Sequence, residues 1–315
     1  MRLVFMGTPE SAVPSLRRLV DDGHEIVAVW TQPDRPAGRG NKLHQSPVKE
    51  FAVQHNLSVH QPLKIRTQAA KELFAAHQAD AAIVVAYGRI LPNDFLNAPR
   101  HGCINVHFSL LPKFRGAAPV NWAIVEGEKE TGVTTMRIVE ELDAGPVLLQ
   151  RSTEIGERET APELMKRLAN IGAELLSETL NRLESIEPEA QRNEAATFAP
   201  ILKREDGRID WTMSAHEIDR RVRGFQPWPG AYTTLNSRRL IIRRATAETL
   251  QQSSAEGRIV SGHVIEAHGD RLLIACADLT ALQVLELQPE DSRRMSARDF
   301  LNGSHLKVGE MLGQR

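Results

Sequence analysis

Cysteine is nearly absent: Cys103 and Cys276 are the only two in 315 residues. They stand far apart, and neither belongs to a cluster with metal-ligand spacing. A disulfide framework and a zinc site are therefore both unexpected. Each lies in or beside an apolar run, Cys103 before Ile104 and Val106, Cys276 after Leu272-Leu273-Ile274-Ala275. A buried free thiol is the expected state. No apolar run approaches the ~20 residues that span a bilayer, so no membrane partner is expected. The opening Met1-Arg2-Leu3-Val4-Phe5-Met6 is too short for a signal peptide and reads as a first strand, which leaves the cytoplasm as the default. An excess of one charge is missing too: the net charge is -1. Residues 1–200 hold 22 basic against 25 acidic side chains, and the remainder 17 against 15. No global field draws nucleic acid, although a local patch stays open. Also absent is the glycine fingerprint of a dinucleotide fold, because Gly7 follows the first strand without Gly-x-x-Gly partners.

What is present is a balance of 41% hydrophobic and 25% charged residues, enough for two globular domains. Leu3–Met6 and Ile26–Trp30 are apolar strands, separated by a helix through Leu16, Leu19 and Val20 that stops at Gly23. That order implies a parallel pair with a right-handed crossover. Pro47 suits the first turn of a helix, and Thr67 suits the cap of another. Ala81–Ala86 is apolar throughout, as in a central parallel strand. Gly132–Ile138 alternates like a strand, and Val147–Gln150 can pair back beside it. Leu164, Leu168, Ile171 and Leu175, continued by Leu176, Leu180 and Leu183, form a helical stripe for the core. The fold class expected is α/β, a Rossmann-like, mostly parallel sheet. From Glu184 the chain turns polar, with Pro188, Pro200 and Gly207. Residues 1–188 are read as the first domain, 189–208 as a linker and 209–315 as the second domain. Short strands at 231–235, 240–242, 262–267, 271–275 and 281–287 suggest a small barrel or sandwich.

One stretch carries the chemistry: Gly102-Cys103-Ile104-Asn105-Val106-His107-Phe108-Ser109-Leu110-Leu111-Pro112, then Lys113-Phe114-Arg115-Gly116-Ala117-Ala118-Pro119. It begins as a strand and is broken by Pro112 and Gly116. Asn105 and His107 are two apart, so both point to one face. Polar groups at the end of an apolar strand suit a site at the edge of an open α/β sheet. An amide and an imidazole suit an oxygen that gains negative charge. The same pair also fits a plain hydrogen-bonded strand end. Further on, Leu142-Asp143-Ala144-Gly145-Pro146 sets a carboxylate in a tight turn. Asp143 is expected to pair with His107 and favour its charged form. The lone Asp-x-Gly fits an ordinary turn equally well.

Asn105-x-His107, Ser109-Leu110-Leu111-Pro112, Arg115-Gly116-Ala117-Ala118-Pro119 and Asp143 together resemble the 10-formyltetrahydrofolate-dependent formyltransferase family. Thr31-Gln32-Pro33-Asp34-Arg35-Pro36-Ala37-Gly38-Arg39-Gly40, Ala86-Tyr87-Gly88-Arg89-Ile90-Leu91-Pro92 and Phe225-Gln226-Pro227-Trp228-Pro229-Gly230 are similar to one branch of it, the branch acting on initiator methionyl-tRNA. The resemblance covers nearly the whole chain. It implies transfer of a formyl group from 10-formyltetrahydrofolate to the α-amino group of methionine on initiator methionyl-tRNA, for the start of translation. It implies Asn105 and protonated His107 as donors to the oxyanion. Asp143 would pair with His107 and organise a water that relays protons. Ser109, Leu110, Leu111 and Pro112, with Tyr87 and Gly88, would line the folate site. No metal and no activated Ser or Cys is implied. Phe108 stands where the family would carry a smaller residue or proline, and is expected to narrow the folate entrance.

The loop from Thr31 to Ser46 is long for a connection in a compact domain, and such loops are usually functional or disordered. Its Arg35, Arg39 and Lys42 can each bind phosphate. The resemblance makes it an arm that reaches the acceptor end of tRNA. It also makes the second domain an OB-like barrel, in which Arg238 and Arg239 of a hairpin contact tRNA. A solvated charged edge is the plainer reading of those arginines. The expected protein is a monomer. Rival readings are a formyltransferase acting on an amino sugar or a purine precursor, a folate hydrolase, and a non-catalytic RNA-binding protein on this scaffold.

Overall fold

The computed structural model describes residues 1–37, 42–250 and 260–313. These divide into two compact units. The first is Met1–Pro119, Glu130–Glu154 and Met165–Ala199; the second is Val120–Lys129, Ile155–Leu164 and Pro200–Arg315.

Unit 1 begins with β1 (Arg2–Gly7), α1 (Val13–Asp21) and β2 (Glu25–Trp30). A hairpin follows, β3 (Arg35–Ala37) against β4 (Lys42–His44), then α2 (Pro47–Gln54), β5 (Val59–His60) and α3 (Gln68–Ala76). β6 (Ala81–Val85), α4 (Asn93–Leu96), β7 (Cys103–His107) and the two-residue β8 (Arg115–Gly116) lead into α5 (Pro119–Glu126), which from Val120 on belongs to unit 2. β9 (Glu130–Arg137), β10 (Val147–Glu154), α6 (Ala161–Asn181) and β11 (Phe198–Ala199) complete the order. Seven of these strands form one sheet in the order β10-β9-β7-β6-β1-β2-β5. β1 pairs in parallel with β2 on one side and β6 on the other. The winding therefore reverses between β1 and β6, and the carboxyl ends of the strands there border a natural crevice. β9 runs antiparallel to β7, and β10 antiparallel to β9.

The local signals act as physics requires. Ser46 accepts the Lys49 amide hydrogen at the start of α2, with Pro47 at its first position, and Thr67 accepts from Ala70 at the start of α3. Every residue of β6 is buried, because both faces of the sheet are covered. On β7 the side chains alternate. Val106 and Phe108 pack toward Gly172 of α6, where an added Cβ would lie 2.9 Å from Val106 Cγ1 and 3.5 Å from Phe108 Cε1. Phe108 is thus core. The expectation that it narrows a folate entrance fails, since it faces the side opposite Asn105 and His107.

Unit 2 carries β12 (Ala231–Leu235), β13 (Arg238–Thr249), β14 (Val264–His268), β15 (Arg271–Ala275), β16 (Thr280–Pro289) and β17 (Met295–Ser296), with α7 (Ala215–Gly224) and α8 (Ala297–Gly303). The sheet order is β12-β13-β16-β15-β14, all antiparallel, and β17 adds to β16. Asn236 and Ser237 take φ of 50° and 63° at the β12–β13 turn, as a tight hairpin needs. Residues 309–313 join the two edge strands. The amides of Gly309 and Leu312 donate to Val264 and Gly262 beside β14, and Gly313 donates to Thr234 of β12. The result is the small OB-like barrel anticipated for the second half.

In unit 1, Trp30 sits fully buried among Phe74, Phe95, His60 and His77. Its Nε1 donates to His77 Nε2 at 3.2 Å, so that nitrogen must stay unprotonated. Burial lowers the pKa of both His60 and His77 below the ordinary 6.5, and for His77 the neighbouring His60 adds to it. The unfolded chain therefore takes up protons first. Stability is full above about pH 6.5 and is lost as pH falls through the depressed folded values. The urea midpoint is expected to drop between pH 6.5 and 5, and to drop less in His60→Gln; equal slopes in the two proteins would rule out this linkage.

Candidate active site

The end of β7 carries Asn105 and His107. Asn105 is half-buried, and its carboxamide has no hydrogen-bond partner among the described residues. A donor without a protein partner at a strand end is open to a ligand. His107 is 6% exposed. Its Nε2 lies 3.0 Å from the Phe114 carbonyl oxygen. A carbonyl only accepts, so Nε2 carries the hydrogen and Nδ1 is the nitrogen left to act. Nδ1 lies 3.8 Å from Asp143 Oδ2, within ion-pair reach but beyond a hydrogen bond. That oxygen is already occupied: the Gly116 amide donates to it at 2.8 Å. The imidazole thus has one uncommitted nitrogen, and the two ring roles expected from sequence fall on it.

Two bends aim these groups. Phe114 and Asp143 both take left-handed φ, 61° and 50°. Such conformations cost of order 1–3 kcal/mol in a non-glycine residue and persist only when the surroundings hold them. Around Phe114, the amide of Phe114 donates to Thr197 Oγ1 at 2.8 Å and that of Arg115 to the Thr197 carbonyl at 2.9 Å. β11 pairs with β8 in parallel, Phe198 beside Arg115. Around Asp143, Gly145 must be glycine, because a Cβ there would lie 1.8 Å from the Arg137 carbonyl oxygen.

The Ser109–Pro112 segment divides by burial. Ser109 is fully buried, donates to the Lys113 carbonyl and takes Thr134 Oγ1 on its own carbonyl. Leu111 is buried, its amide on Thr134 Oγ1 and its carbonyl on Gln150 Nε2. Leu110 and Pro112 keep partial exposure, and the Leu111–Pro112 bond is cis. Thr134 and Gln150, which the sequence did not single out, therefore shape this segment. Tyr87 turns its ring into the core at 2% exposure, and burial pushes its hydroxyl to about 12. Its carbonyl takes Thr8 Oγ1 and Gln32 Nε2. Gly88, at φ 81°, is exposed beside it. The two thiols do not join the site. Burial pushes both Cys103 and Cys276 up to about 12. Among the described residues no group of three or more His, Cys, Asp or Glu is placed to hold a metal ion.

The cationic positions belong to two other segments. The arm is a hairpin whose base is fastened by Thr31 Oγ1 to Ser46 Oγ at 2.7 Å and by Lys49 Nζ to Asp34 at 2.5 Å. Gln61 Nε2 donates to the other Asp34 oxygen at 2.8 Å. Arg35 is exposed on β3. Lys42 opens β4, and Arg39 lies outside the described residues. In unit 2, Arg238 and Arg239 are neighbours on β13 and so occupy opposite faces. Arg239 stacks on the Tyr232 ring at 3.9 Å. Arg243 shares its face, donates to Gln288, and has its pKa lowered by burial and by Arg294 and Arg239.

Known proteins match this arrangement. The formyl transferase family fits residues 1–180, and the formyl transferase C-terminal domain fits residues 201–305. Methionyl-tRNA formyltransferase of Caldanaerobacter subterraneus is 47% identical over 99% of this chain and 100% of its own. That of Solibacter usitatus is 48% identical over 100% and 99%. The chain belongs to the methionyl-tRNA formyltransferase family. The family's fold is shared more widely. An N-formyltransferase of Helicobacter canadensis, solved with folinic acid and dTDP-3-aminofucose, superimposes with a TM-score of 0.67 at 19% identity, over 90% of this chain and 98% of that one. HypX of Aquifex aeolicus, solved with tetrahydrofolic acid, gives 0.62 at 18% identity, over 100% of this chain and 51% of that one. At such identities the likeness speaks for the fold. Among the described residues no helix is long and apolar enough to cross a membrane.

Gly145→Ala forces a methyl group against backbone, so the Asp143 turn must move. We expect turnover to fall by at least tenfold with a drop of only a few degrees in the melting temperature; unchanged turnover would show that the turn tolerates displacement.

Proposed function

We propose that this protein transfers the formyl group of 10-formyltetrahydrofolate to the α-amino group of methionine on initiator methionyl-tRNA. The observation that carries the reading is the pairing of a free carboxamide on Asn105 with an imidazole on His107 whose one uncommitted nitrogen faces Asp143. Amine attack on a formyl carbon builds negative charge on its oxygen. The Asn105 amide and the His107 Nδ1–H donate to that oxygen, and loss of one such donor typically lowers the rate about 10²–10³-fold. The Asp143 carboxylate balances the imidazolium and, through water, passes the amine proton toward the leaving nitrogen of the folate. The substrate brings its own nucleophile, so the buried thiols are not needed.

In this reading residues 1–188 hold the folate and the chemistry, 189–208 connect, and 209–315 contact RNA. The donor lies along Leu110 and Pro112, with the backbone at Ser109, Leu111, Tyr87 and Gly88. Arg35, Arg39 and Lys42 of the Thr31 to Ser46 loop meet acceptor phosphates. Arg239, stacked on Tyr232, and Arg238 bind further along the RNA. A monomer in the cytoplasm, where initiator tRNA is charged, suffices. An amino-sugar acceptor is the second reading, favoured only by the fold shared with the sugar enzymes.

A formylation assay with 10-formyltetrahydrofolate, comparing charged initiator tRNA, free methionine and a nucleotide-linked amino sugar, separates these acceptors; preference for the sugar would overturn the proposal. His107→Ala should lower formyl transfer by at least 10² while RNA affinity stays within about threefold. Retained turnover would remove the imidazole from the mechanism. Arg39→Ala should raise KM for the charged tRNA about tenfold and leave that for the folate unchanged, whereas equal effects on both would make the arm structural.

A further inference from the structure

The segment 189–199 is polar and reads in sequence as connecting chain, yet it spans both bends that aim the reactive groups. Glu189 exchanges two backbone hydrogen bonds with Val147, each 2.8 Å. Phe198 and Ala199 pair with Arg115 and Gly116. Between these anchors stands Gln191. Its Nε2 donates to the Asp143 carbonyl at 2.8 Å and to the Gly145 carbonyl at 2.7 Å. Its Oε1 accepts from Arg115 Nε at 3.0 Å and Nη2 at 2.9 Å. Arg115 is 2% exposed, and its Nη2 also donates to Asn193 Oδ1 at 2.9 Å. A carboxylate oxygen of Glu141 lies 3.8 Å from its Nη1. One carboxamide therefore ties the Asp143 turn to a buried guanidinium in the strand that also supplies the Gly116 amide to Asp143 Oδ2.

We propose that Gln191 is a positioning residue for formyl transfer: it fixes the left-handed turn that aims the Asp143 carboxylate at His107, acting on the transition state and not on the affinity for either substrate. The proposal rests on the formyl-transfer reading. Three observations support it. The turn is strained at Asp143 and needs an external hold. Both Gln191 donors are spent on backbone oxygens of that turn, two residues apart. The acceptor end is fixed by two hydrogen bonds from a buried guanidinium, which hold the side chain in place. Without those donors the two carbonyls lose their partners and the turn relaxes, which moves the carboxylate while leaving the faces of Asn105 and Leu110 in place.

The test uses the full chain in steady-state formylation, with thermal unfolding alongside. Gln191→Met keeps length and volume and removes every hydrogen bond. Gln191→Glu keeps the acceptor for Arg115 and removes both donors. Asn193→Ala removes another Arg115 partner without touching the turn. We expect kcat to fall at least tenfold in both Gln191 variants, with KM for tRNA and for folate within threefold of the parent, and Asn193→Ala to stay within threefold throughout. A kcat within threefold in a folded Gln191 variant, a loss seen in KM alone, or an equal kcat loss in Asn193→Ala would overturn the proposal. So would loss of the cooperative unfolding transition in both Gln191 variants, which would place the residue in the fold and not in the site. An inactive parent would instead count against the formyl-transfer reading itself, so the two failures are told apart.

Discussion

A buried imidazole has two nitrogens to satisfy, and in this protein the Phe114 carbonyl takes one of them. Much of the site follows from that bond. It sets the tautomer, turns Nδ1 toward Asp143, and makes the loop after Pro112 as important to the chemistry as the strand before it. The bond in turn needs Phe114 in a left-handed conformation, which the pairing of β8 with β11 secures. The His107 ring is thus oriented by a backbone oxygen, one of the two kinds of partner that commonly fix an imidazole. The Asp143 carboxylate, freed from that duty, stands at ion-pair distance and receives its own hydrogen bond from Gly116.

The parts legible in sequence were those with a local cause. Continuous apolar runs gave the parallel strands, Pro47 opened one helix and Thr67 capped another. Asn105 and His107 were found because period-two alternation puts them on one face. Alternation also places Phe108 on the other face, a consequence that the motif comparison obscured by treating position 108 as a site in the cleft. Tyr87 shows the same limit: the segment borders the crevice, but the ring turns into the core. Gln191 was illegible for a different reason. Its partners are backbone carbonyls 46 and 48 positions away, and nothing in a polar stretch distinguishes a side chain that is solvated from one that saturates a distant loop.

That distinction explains why so many polar residues cluster in unit 1 while so few have chemical work. Acyl transfer to an amine needs no enzyme nucleophile, so the reacting atoms require little more than an amide, an imidazole and a carboxylate. The amide and the imidazole stand on β7, but the carboxylate and the segments that face them lie on loops, which lack the ladder bonds of a sheet. Thr134, Gln150, Thr197, Gln191 and Arg115 supply those bonds instead, each to backbone or to one another. Replacing them with apolar residues of the same shape would leave buried carbonyls and amides unpaired, at roughly 1–3 kcal/mol apiece. The polarity around this crevice is therefore mostly structural in origin: it stores the geometry in which Asn105, His107 and Asp143 are held.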